Sequence, residues 1–291
     1  MEKLAERVAT LVEALPYIRK WAGKIVVIKY GGNAMTDDEL KRQVALDCIL
    51  LHYVGIRPVV VHGGGPKIDE VMDRVGKKSV RVAGLRVTDK ETMEIAQMVL
   101  VGTIQQELVS LINANGGRAV GLSGKDANLI VAEKKDMGEI DLGFVGEVIS
   151  VDRRVIDTLL DAGYIVVISS IGVGVGGESY NINADTVAGD LAAALNAEKL
   201  LVLSDVPGIL DDVKDPDSLI SRLTLEEAGA LMTTEKIGKG MIPKVEACTR
   251  ALQGGVPRAH LIDGRVPHSI IMELFTDAGI GTMIETDGGE R

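Results

Sequence analysis

Lys29 and the residues around it carry the first sign of chemistry in this sequence. The apolar run 25–28 precedes Lys29, and Gly31 and Gly32 follow shortly after it. Four consecutive β-branched residues predict a strand that is buried on both faces, as in a parallel sheet covered by helices, and Lys29 ends it. Glycines at the turn allow main-chain N–H groups to bind an anion beside the lysine ammonium. Alone, the segment is equally typical of a strand that ends in an ordinary turn.

A second glycine-rich turn follows the next predicted strand, at residues 58–61. This strand leads into His62-Gly63-Gly64-Gly65-Pro66, and a helix is predicted from Lys67 to Val75. Backbone donors at a helix N-terminus favour phosphate or carboxylate. Because ligands of open α/β sheets bind at the carboxyl ends of the strands, the two turns predict one anion site. Neither turn has the spacing of a P-loop or of a complete dinucleotide-binding fingerprint.

Three further segments place polar or cationic groups near predicted loops. Arg86 has a guanidinium that is suited to bidentate recognition of a carboxylate. Asn181, Asn183 and Asp185 cluster at the start of a predicted helix, where capping explains any one of them but not all three. The segment 236–244 carries three lysines among its glycines, which favours a polyphosphate ligand over a solvated basic loop.

The composition restricts the class of protein. The chain has 291 residues, 46% of them hydrophobic, and a formal net charge of −10, which disfavours nucleic-acid binding. No uninterrupted apolar run reaches the length of a membrane span and the N-terminus is charged, so we expect a cytoplasmic protein with no membrane partner. Cys48 and Cys248 are interpreted as reduced core thiols. The four histidines lack metal-ligand spacing, and we expect no protein-held metal.

Strands and helices alternate along most of the chain, which predicts an α/β fold around a parallel sheet. A helix is predicted over residues 4–21, with Pro16 kinking or dividing it. The glycine-rich stretch 172–177 is interpreted as the boundary between two lobes.

Five motifs, taken in order, resemble the amino acid kinase family. They are Lys29-Tyr30-Gly31-Gly32, His62-Gly63-Gly64-Gly65-Pro66, Gly84-Leu85-Arg86, Asn181-Ile182-Asn183-Ala184-Asp185 and Gly240-Met241-Ile242-Pro243-Lys244. The third and fourth are similar to the branch of the family that phosphorylates N-acetyl-L-glutamate. The resemblance covers nearly the whole chain. It implies a three-layer αβα sandwich with a central, mainly parallel sheet, in two lobes, preceded by an extra N-terminal helix.

The resemblance also implies a reaction and a role for each motif. The γ-phosphoryl of ATP would pass to the side-chain carboxylate of N-acetyl-L-glutamate, a step of arginine biosynthesis. Lys29 and Lys244 would neutralise the transferring phosphoryl group, with Asp185 holding both lysines. Gly64, Gly65, Arg86 and Asn181 would bind the acetylglutamate. The ATP site would comprise Gly31, Gly32, Ser204, Asp205, Val206, Pro207, Gly208, Ile209, Lys236, Ile237 and Gly238, with Mg²⁺ held by the nucleotide and water.

Two other functions stay open at this point. A sensor or scaffold could keep the fold and bind the ligand without catalysis, although Lys29, Lys244 and Asp185 are all present. An enzyme of the same fold could act on another acid, such as an acetylaminoadipate derivative, because residue order does not reveal the size of a pocket.

Two segments outside the catalytic motifs resemble the arginine-sensitive, hexameric members of the family. Residues 1–24 would form an oligomerisation helix that joins dimers into a hexamer, a trimer of dimers. Residues 25–178 would form the lobe that binds acetylglutamate, and 179–291 the lobe that binds ATP and inhibitory L-arginine. The inhibitor site would be formed by Tyr17, Lys199, Glu273 and Gly279. A PII-type regulatory protein is a further partner that the resemblance suggests.

Overall fold

The computed structural model describes residues 2–35, 37–212, 214–215, 217–232, 237–238 and 240–286. The strands are β1 (Ile25–Tyr30), β2 (Arg57–His62), β3 (Arg81–Val82), β4 (Leu85–Arg86), β5 (Ala119–Ser123), β6 (Ile130–Lys134), β7 (Gly146–Val151), β8 (Ile165–Ser169), β9 (Ile171–Val173), β10 (Ser179–Asn181), β11 (Lys199–Ser204), β12 (Arg222–Thr224), β13 (Arg258–Asp263) and β14 (Thr282–Glu285). The α-helices are α1 (Glu2–Glu13), α2 (Leu15–Trp21), α3 (Asp38–Tyr53), α4 (Gly65–Arg74), α5 (Lys90–Gln97), α6 (Gln105–Ala114), α7 (Arg154–Asp161), α8 (Ala184–Ala194), α9 (Leu225–Met232), α10 (Ile242–Gln253) and α11 (Ser269–Leu274).

The main sheet has eight strands within the described residues, in the order β12-β14-β13-β11-β1-β2-β8-β5. The six strands from β13 to β5 run parallel to one another, and β14 is antiparallel to β13. The expected mainly parallel sheet is therefore confirmed. Strand β1 lies in the middle of it, and every residue of β1 is buried.

Alternate residues of β1 reach two separate core layers. Val27 packs with α7, α8 and α10 on one face of the sheet. Val26 and Ile28 pack with α3, α6 and α11 on the other face. Because side chains alternate across a strand, an all-apolar run requires apolar cover on both faces. This arrangement is the predicted three-layer αβα sandwich. The predicted end of the first strand was too early, because β1 continues through Lys29 to Tyr30.

A second, four-stranded sheet has the order β10-β9-β6-β7. Strands β9 and β10 form an antiparallel hairpin, and the glycine-rich stretch 172–177 runs through the end of β9 and the turn between them. The predicted boundary between residues 178 and 179 falls inside this hairpin. The division into two lobes with those limits stays a prediction.

The N-terminal segment forms two helices rather than one. Helix α1 ends at Glu13, and α2 begins at Leu15 with Pro16 in its first turn. Proline has no N–H to donate, so it fits the first turn of a helix and divides a longer one. Leu4, Val8, Leu11 and Val12 of α1 are between 54% and 74% exposed. Helix α1 thus presents large apolar side chains that the described part of the chain leaves exposed.

Helices α5 and α6 are continuous through a π-helical segment, Met98–Ile104, and together span Lys90–Ala114. By length and composition alone this 25-residue helix could cross a membrane. Of the 18-residue apolar stretch within it, 44% is buried inside the molecule. A core helix of a soluble protein passes the same test. The finding carries no conclusion about localisation.

Both cysteines are free and fully buried, which confirms the interpretation of Cys48 and Cys248 as core thiols. Burial raises the pKa of each thiol far above its ordinary value. Neither is therefore suited to nucleophilic chemistry.

Candidate active site

The carboxyl ends of β1, β2, β8 and β11 lie along one edge of the main sheet. Strand β1 pairs with β2 on one side and with β11, which comes much later in the chain, on the other. After β1 the chain continues to β2 on one side, and after β11 it continues to β12 on the other side. Open α/β sheets bind their ligands where the connections diverge in this way. Both glycine-rich turns start here.

Lys29 and Asp185 form a buried ion pair at this edge. Lys29 Nζ lies 2.8 Å from Asp185 Oδ1, and both side chains are less than 10% exposed. Lys29 comes from β1 and Asp185 from the first turn of α8, so the pair joins the sheet to a helix that packs on it. Removing one member of such a pair would leave an uncompensated buried charge.

The first glycine turn lies against this pair. A Cβ atom on Gly31 would lie 3.0 Å from Lys29 Nζ. Gly32 has a φ of +72°, and a Cβ there would lie 2.5 Å from Asp205 Oδ1. Any larger residue at Gly32 would clash with Asp205 and strain the backbone. The turn after β1 and the turn after β11 are therefore in direct contact.

The second glycine turn follows β2 and opens α4. A Cβ on Gly64 would lie 2.4 Å from Ile104 Cδ1 and 2.7 Å from Leu100 Cδ2. Both residues belong to the π-helical segment, and such segments frequently occur at functional sites. Gly64 is the N-cap residue of α4, and helix α4 has no side-chain hydrogen bond at this cap. A larger residue at position 64 would have to displace the ends of these two side chains.

Arg86 lies at the end of the hairpin β3–β4 and is buried. Its guanidinium forms an ion pair with Asp69 and donates to Ser79 Oγ at 2.5 Å and to the Gly65 carbonyl at 2.9 Å. Burial disfavours the charged form of Asp69, but the hydrogen bonds from Arg86, Ser79 and Arg81 outweigh burial and hold its pKa far below the usual range. Arg86 is thus fixed in place before any ligand binds.

The polar cluster at the start of α8 divides into three roles. Asn183 caps the helix, since its Oδ1 accepts from the Asp185 N–H at 2.8 Å. Asn181 Nδ2 donates to Thr88 Oγ1 at 3.3 Å. Asp185 pairs with Lys29. Capping accounts for only one of the three residues, as the sequence indicated.

Lys244 approaches from the opposite side, in the first turn of α10. Burial lowers the pKa of Lys244, Asp185 opposes that shift, and Lys29 adds to it. Lys244 therefore lies within electrostatic range of Asp185 and Lys29, but it is not among the residues that line the cavity between the glycine turns. Lys244 Nζ also donates to the Gly240 carbonyl at 3.1 Å.

The segments predicted to bind ATP lie next to this edge. Ser204 ends β11, and Asp205 touches the Gly32 turn. The side chains of Ile209 and Ile237 pack in the core, so only their backbone is available to a ligand. The remaining predicted residues are Val206, Pro207 and Gly208, which form the turn after β11, Gly238, which borders open space, and Lys236, which lies outside the described residues.

A cavity of about 210 Å³ lies between these elements. It is lined by Lys29, Asp185, Arg86, Asn181 and both glycine turns. The structure therefore gathers all of the predicted substrate residues around one space. It adds lining residues that lie outside the five sequence motifs, namely Ile68, Arg81, Leu100, Val145 and Ser170.

A second cavity, of about 490 Å³, lies at the other end of the main sheet. It contains the four residues predicted to bind arginine, Tyr17, Lys199, Glu273 and Gly279. Lys199 Nζ lies 2.6 Å from Glu273 Oε1, and both side chains are at most 5% exposed. Gly279 has a φ of +58°, and a Cβ there would lie 3.0 Å from Glu273 Oε2.

His260 is a further member of this cavity that no sequence pattern revealed. Its Nε2 lies 2.9 Å from Glu273 Oε1, and the Ile280 N–H donates to Glu273 Oε2 at 2.8 Å. Burial disfavours the charged form of Glu273, yet the bonds from His260 and the charge of Lys199 outweigh it and lower the pKa of Glu273 to about 2. Glu273 is therefore an ionised carboxylate inside the cavity.

Helix α2 forms one wall of the second cavity. Trp21 Nε1 donates to the Leu274 carbonyl at 2.9 Å, and Lys199 Nζ lies 5.2 Å from the centre of the Trp21 ring system. Tyr17 packs against Phe275, and its hydrogen bond with Asp277 raises the pKa of the phenol. The N-terminal segment thus contacts Leu274, Phe275 and Asp277, which follow Glu273 in the chain.

A sequence profile described as the Amino acid kinase family matches residues 24–263. The chain belongs to the amino acid kinase family. A curated relative, the acetylglutamate kinase of Desulfitobacterium hafniense, is 58% identical over 97% of this chain and 98% of its own length. Family membership accounts for the fold, the glycine turns and the use of ATP.

Two solved structures are also similar, both of N-acetylglutamate synthase from Neisseria gonorrhoeae. The complex with coenzyme A and N-acetyl-glutamate has a TM-score of 0.84, 30% identity and 97% of this chain covered. The complex with coenzyme A and L-arginine has a TM-score of 0.80, 28% identity and 96% covered. The chain spans only 64% and 65% of those synthase chains, so the likeness concerns a part of each.

The donor atoms at the active site suit a metal ion that arrives with the nucleotide. Among the described residues, no group of three or more His, Cys, Asp and Glu side chains is arranged to hold a metal. Asp185, a carboxylate that lines the cavity, is already paired with Lys29. Mg²⁺ commonly keeps several waters and binds through substrate phosphates, so the site fits ATP entering as its Mg²⁺ complex.

Proposed function

We propose that this member of the amino acid kinase family is an acetylglutamate kinase. It transfers the γ-phosphoryl of ATP to the side-chain carboxylate of N-acetyl-L-glutamate, forming N-acetylglutamyl 5-phosphate and ADP in arginine biosynthesis. The observation that carries the proposal is the buried Lys29–Asp185 pair between two glycine turns, with Arg86 held in the same cavity. Relatives of nearly the same length carry that name at up to 58% identity.

The acceptor carboxylate is ionised at neutral pH, so the reaction needs no general base. Catalysis can rest on alignment of the two substrates and on stabilisation of charge as the phosphoryl group transfers. Lys29 and Lys244 approach that group from the sheet and from α10, and Asp185 keeps both ammonium groups in place. These groups are fixed in advance, so little reorganisation opposes the reaction.

Substrate binding falls to groups on the other side of the cavity. Arg86 donates to the acetylglutamate through the part of its guanidinium that Asp69 and Ser79 leave open. Backbone N–H groups of Gly64 and Gly65 bind carboxylate or phosphoryl oxygens, and Asn181 contributes its amide. The turn at 204–209 and the segment 236–238 bind the nucleotide.

A coupled assay of ADP release tests the activity and its acceptor. We expect turnover with N-acetyl-L-glutamate that exceeds turnover with glutamate, aspartate, carbamate and acetylaminoadipate. A preference for acetylaminoadipate would support the same reaction with a different substrate. Ligand binding without any ADP release would support a sensor and contradict the proposal.

We further propose that L-arginine inhibits the enzyme by binding in the second cavity. Glu273 is an ionised carboxylate that can bind a guanidinium, and the Gly279 turn allows a ligand to approach the backbone closely. The wall made by α2 couples this cavity to the N-terminal segment. The similarity to a synthase solved with L-arginine supports the same ligand.

The same proposal includes a hexamer, a trimer of dimers, that is joined through the N-terminal helices. The exposed apolar side chains of α1, including Leu11 at 74%, are suited to burial against a second copy of the chain. Arginine would favour an inactive arrangement only by binding that arrangement more tightly than the active one. A cytoplasmic location and a PII-type partner stay predictions, since no described contact bears on either.

Deleting residues 1–24 tests the regulatory part. We expect active dimers with a weakened response to arginine, measured by light scattering and by an arginine titration of activity. The matched control deletes only residues 1–13, which removes α1 and keeps Tyr17 and Trp21. That variant should no longer form the hexamer, while α2 still forms one side of its arginine site. Persistence of the hexamer and of full inhibition in the longer deletion would contradict the proposal.

A further inference from the structure

We infer that His62 is a positioning residue that directs the backbone N–H of Gly64 into the substrate cavity. This inference rests on the proposed function of that cavity, in which glycine N–H groups bind the substrate. His62 ends β2 and is fully buried, and it does not line the cavity.

The observation behind the inference is one hydrogen bond. His62 Nδ1 lies 3.0 Å from the carbonyl oxygen of Gly63. A carbonyl oxygen can only accept, so Nδ1 carries the proton and donates. The imidazole is therefore fixed as the Nδ1–H tautomer by its own neighbour in the chain.

The peptide between Gly63 and Gly64 is trans, because the described residues contain no cis peptide bond. In a planar trans peptide, the C=O and the following N–H point in opposite directions. A carbonyl of Gly63 directed back at the buried imidazole therefore directs the Gly64 N–H away from it, toward the cavity that Gly64 lines.

Neighbouring hydrogen bonds show which groups remain for a ligand. The Gly63 N–H donates to the Tyr30 carbonyl at 3.0 Å, which continues the β1–β2 pairing past the strand end. The Gly64 carbonyl accepts from the Ile68 N–H in α4. No acceptor within the described part of the chain takes the Gly64 or Gly65 N–H. These two donors are available at the N-terminus of a ten-residue helix.

His62 is held neutral by its surroundings. Its Nε2 is buried and has no hydrogen-bond partner among the described residues, and Ser169 is its neighbour in β8. A second proton would place an unsatisfied N–H and a charge in the interior, which is unfavourable. Burial accordingly lowers the pKa of His62 to about 4. The residue donates one fixed hydrogen bond and takes no part in proton transfer.

A glycine turn needs such an anchor because glycine itself has little conformational preference. Three glycines in succession could rotate the peptide between Gly63 and Gly64 without a steric penalty. A donor fixed beneath the turn removes that freedom, so that the N–H is already oriented when charge develops on the substrate.

Three substitutions at His62 test the inference. His62→Asn keeps an N–H donor at the position of Nδ1, His62→Gln moves the donor to the position of Nε2, and His62→Leu removes it. We expect the Asn variant to keep kcat within about 3-fold, and the Gln and Leu variants to lose at least about 10-fold, from the value of one oriented donor. KM for ATP should change little in all three, and melting temperatures report the integrity of the fold.

The difference between Asn and Gln separates positioning from core packing, since both residues bury a polar amide in the same place. A folded Asn variant that loses as much kcat as the Gln variant would overturn the inference, as would a folded Gln variant with wild-type kcat. If Gln and Leu prevent folding, the Asn variant still decides, because loss of its kcat overturns the inference and retention supports it. Lack of acetylglutamate-dependent ADP release in the wild type would instead refute the proposed function.

Discussion

Within the described residues, two buried lysine–carboxylate pairs lie at opposite ends of neighbouring strands. Lys29 lies near the carboxyl end of β1 and pairs with Asp185 at 2.8 Å, and Lys199 begins β11 and pairs with Glu273 at 2.6 Å. Lys29 is in register with Val202, three residues after Lys199, so the two lysines are about 10 Å apart along the strand direction. The same chemical pair therefore occurs once in each cavity.

The surroundings of the two pairs differ. Lys29 shares its cavity with Gly64 and Gly65, whose backbone N–H groups have no acceptor among the described residues, so groups that can bind negative charge lie near the pair. Glu273 is instead satisfied by Lys199, His260 and the Ile280 N–H. In the proposed function, the first pair presents a cation to the reaction and the second presents a stable carboxylate to a ligand. Under that proposal, two similar pairs differ in function because the groups beside them differ.

The largest expected effect comes from the first pair. Lys29→Ala or Lys244→Ala should lower kcat by roughly 100-fold to 1000-fold, because each lysine meets charge that develops mainly in the transition state. Acetylglutamate affinity should weaken much less, and steady-state kinetics separates the two effects. Lys24→Ala is the matched control, since Lys24 directly precedes β1 and its side chain is half exposed in a surface pair with Glu198. If either active-site variant kept a kcat near that of the wild type, the catalytic role assigned to that lysine would be wrong.

The second pair should affect regulation without affecting catalysis. Glu273→Gln keeps the size of the side chain and removes its charge, so we expect the arginine concentration for half inhibition to rise at least about 10-fold with kcat unchanged. Glu285→Gln is a matched control, because Glu285 is buried in the same cavity but faces Arg222 and Arg258. Unaltered inhibition in the Glu273→Gln variant would contradict the proposed inhibitor site.

Two arginines that pair with the same carboxylate in the first cavity can be compared directly. Asp69 pairs with both Arg86 and Arg81, but the Arg86 side chain is 4% exposed and that of Arg81 is 46% exposed. Arg86→Ala should raise KM for acetylglutamate by about 10-fold to 100-fold, and Arg81→Ala by only a few-fold, because an exposed guanidinium interacts in high dielectric. ATP affinity is the internal control. Equal effects of the two substitutions would refute a special role for Arg86.

Local patterns predicted the parallel α/β sheet and the two glycine turns at its edge, whereas the three-layer sandwich and the roles of the site residues followed from the family resemblance. The β-branched run before Lys29 determined a central strand, and each glycine turn directly follows a buried strand. Parallel pairing then brings the turns to one edge without further information. Asn181, Asn183 and Asp185 were predicted together because a single cap cannot explain three polar residues at one helix start.

Residues that act through distant contacts were beyond such patterns. His260 lies in β13 and meets Glu273 only because β13 pairs beside β11. The π-helical segment at 98–104 has no signature in the alternation of apolar residues, yet its side chains approach Gly64. His62 was predicted as part of a glycine motif, but its hydrogen bond to Gly63 depends on the conformation of one peptide. Tertiary geometry determines each of these.

Another buried carboxylate, Asp47, extends the comparison to a case without lysine. It accepts from the backbone N–H groups of Ile270 and Ile271, and its Oδ1 lies 2.6 Å from His268 Nδ1. Burial raises the pKa of Asp47 to about 6, with these partners opposing the shift. The pKa of Glu273, which has His260 and Lys199 beside it, is lowered instead. His260 and Lys199 therefore outweigh the burial of Glu273, whereas His268 and two backbone N–H groups do not outweigh the burial of Asp47.

The smallest expected effect follows from this difference. The folded state holds the Asp47 proton up to about pH 6, whereas the unfolded chain releases it near 3.8. Between those values the folded state binds more protons, so the contribution of Asp47 to stability falls as pH rises. Asp47→Asn abolishes this titration. From pH 4 to 7, urea unfolding should show the variant gaining roughly 1 to 3 kcal/mol relative to wild type. A difference that is constant with pH, or that falls, would show that Asp47 ionises as easily as Glu273.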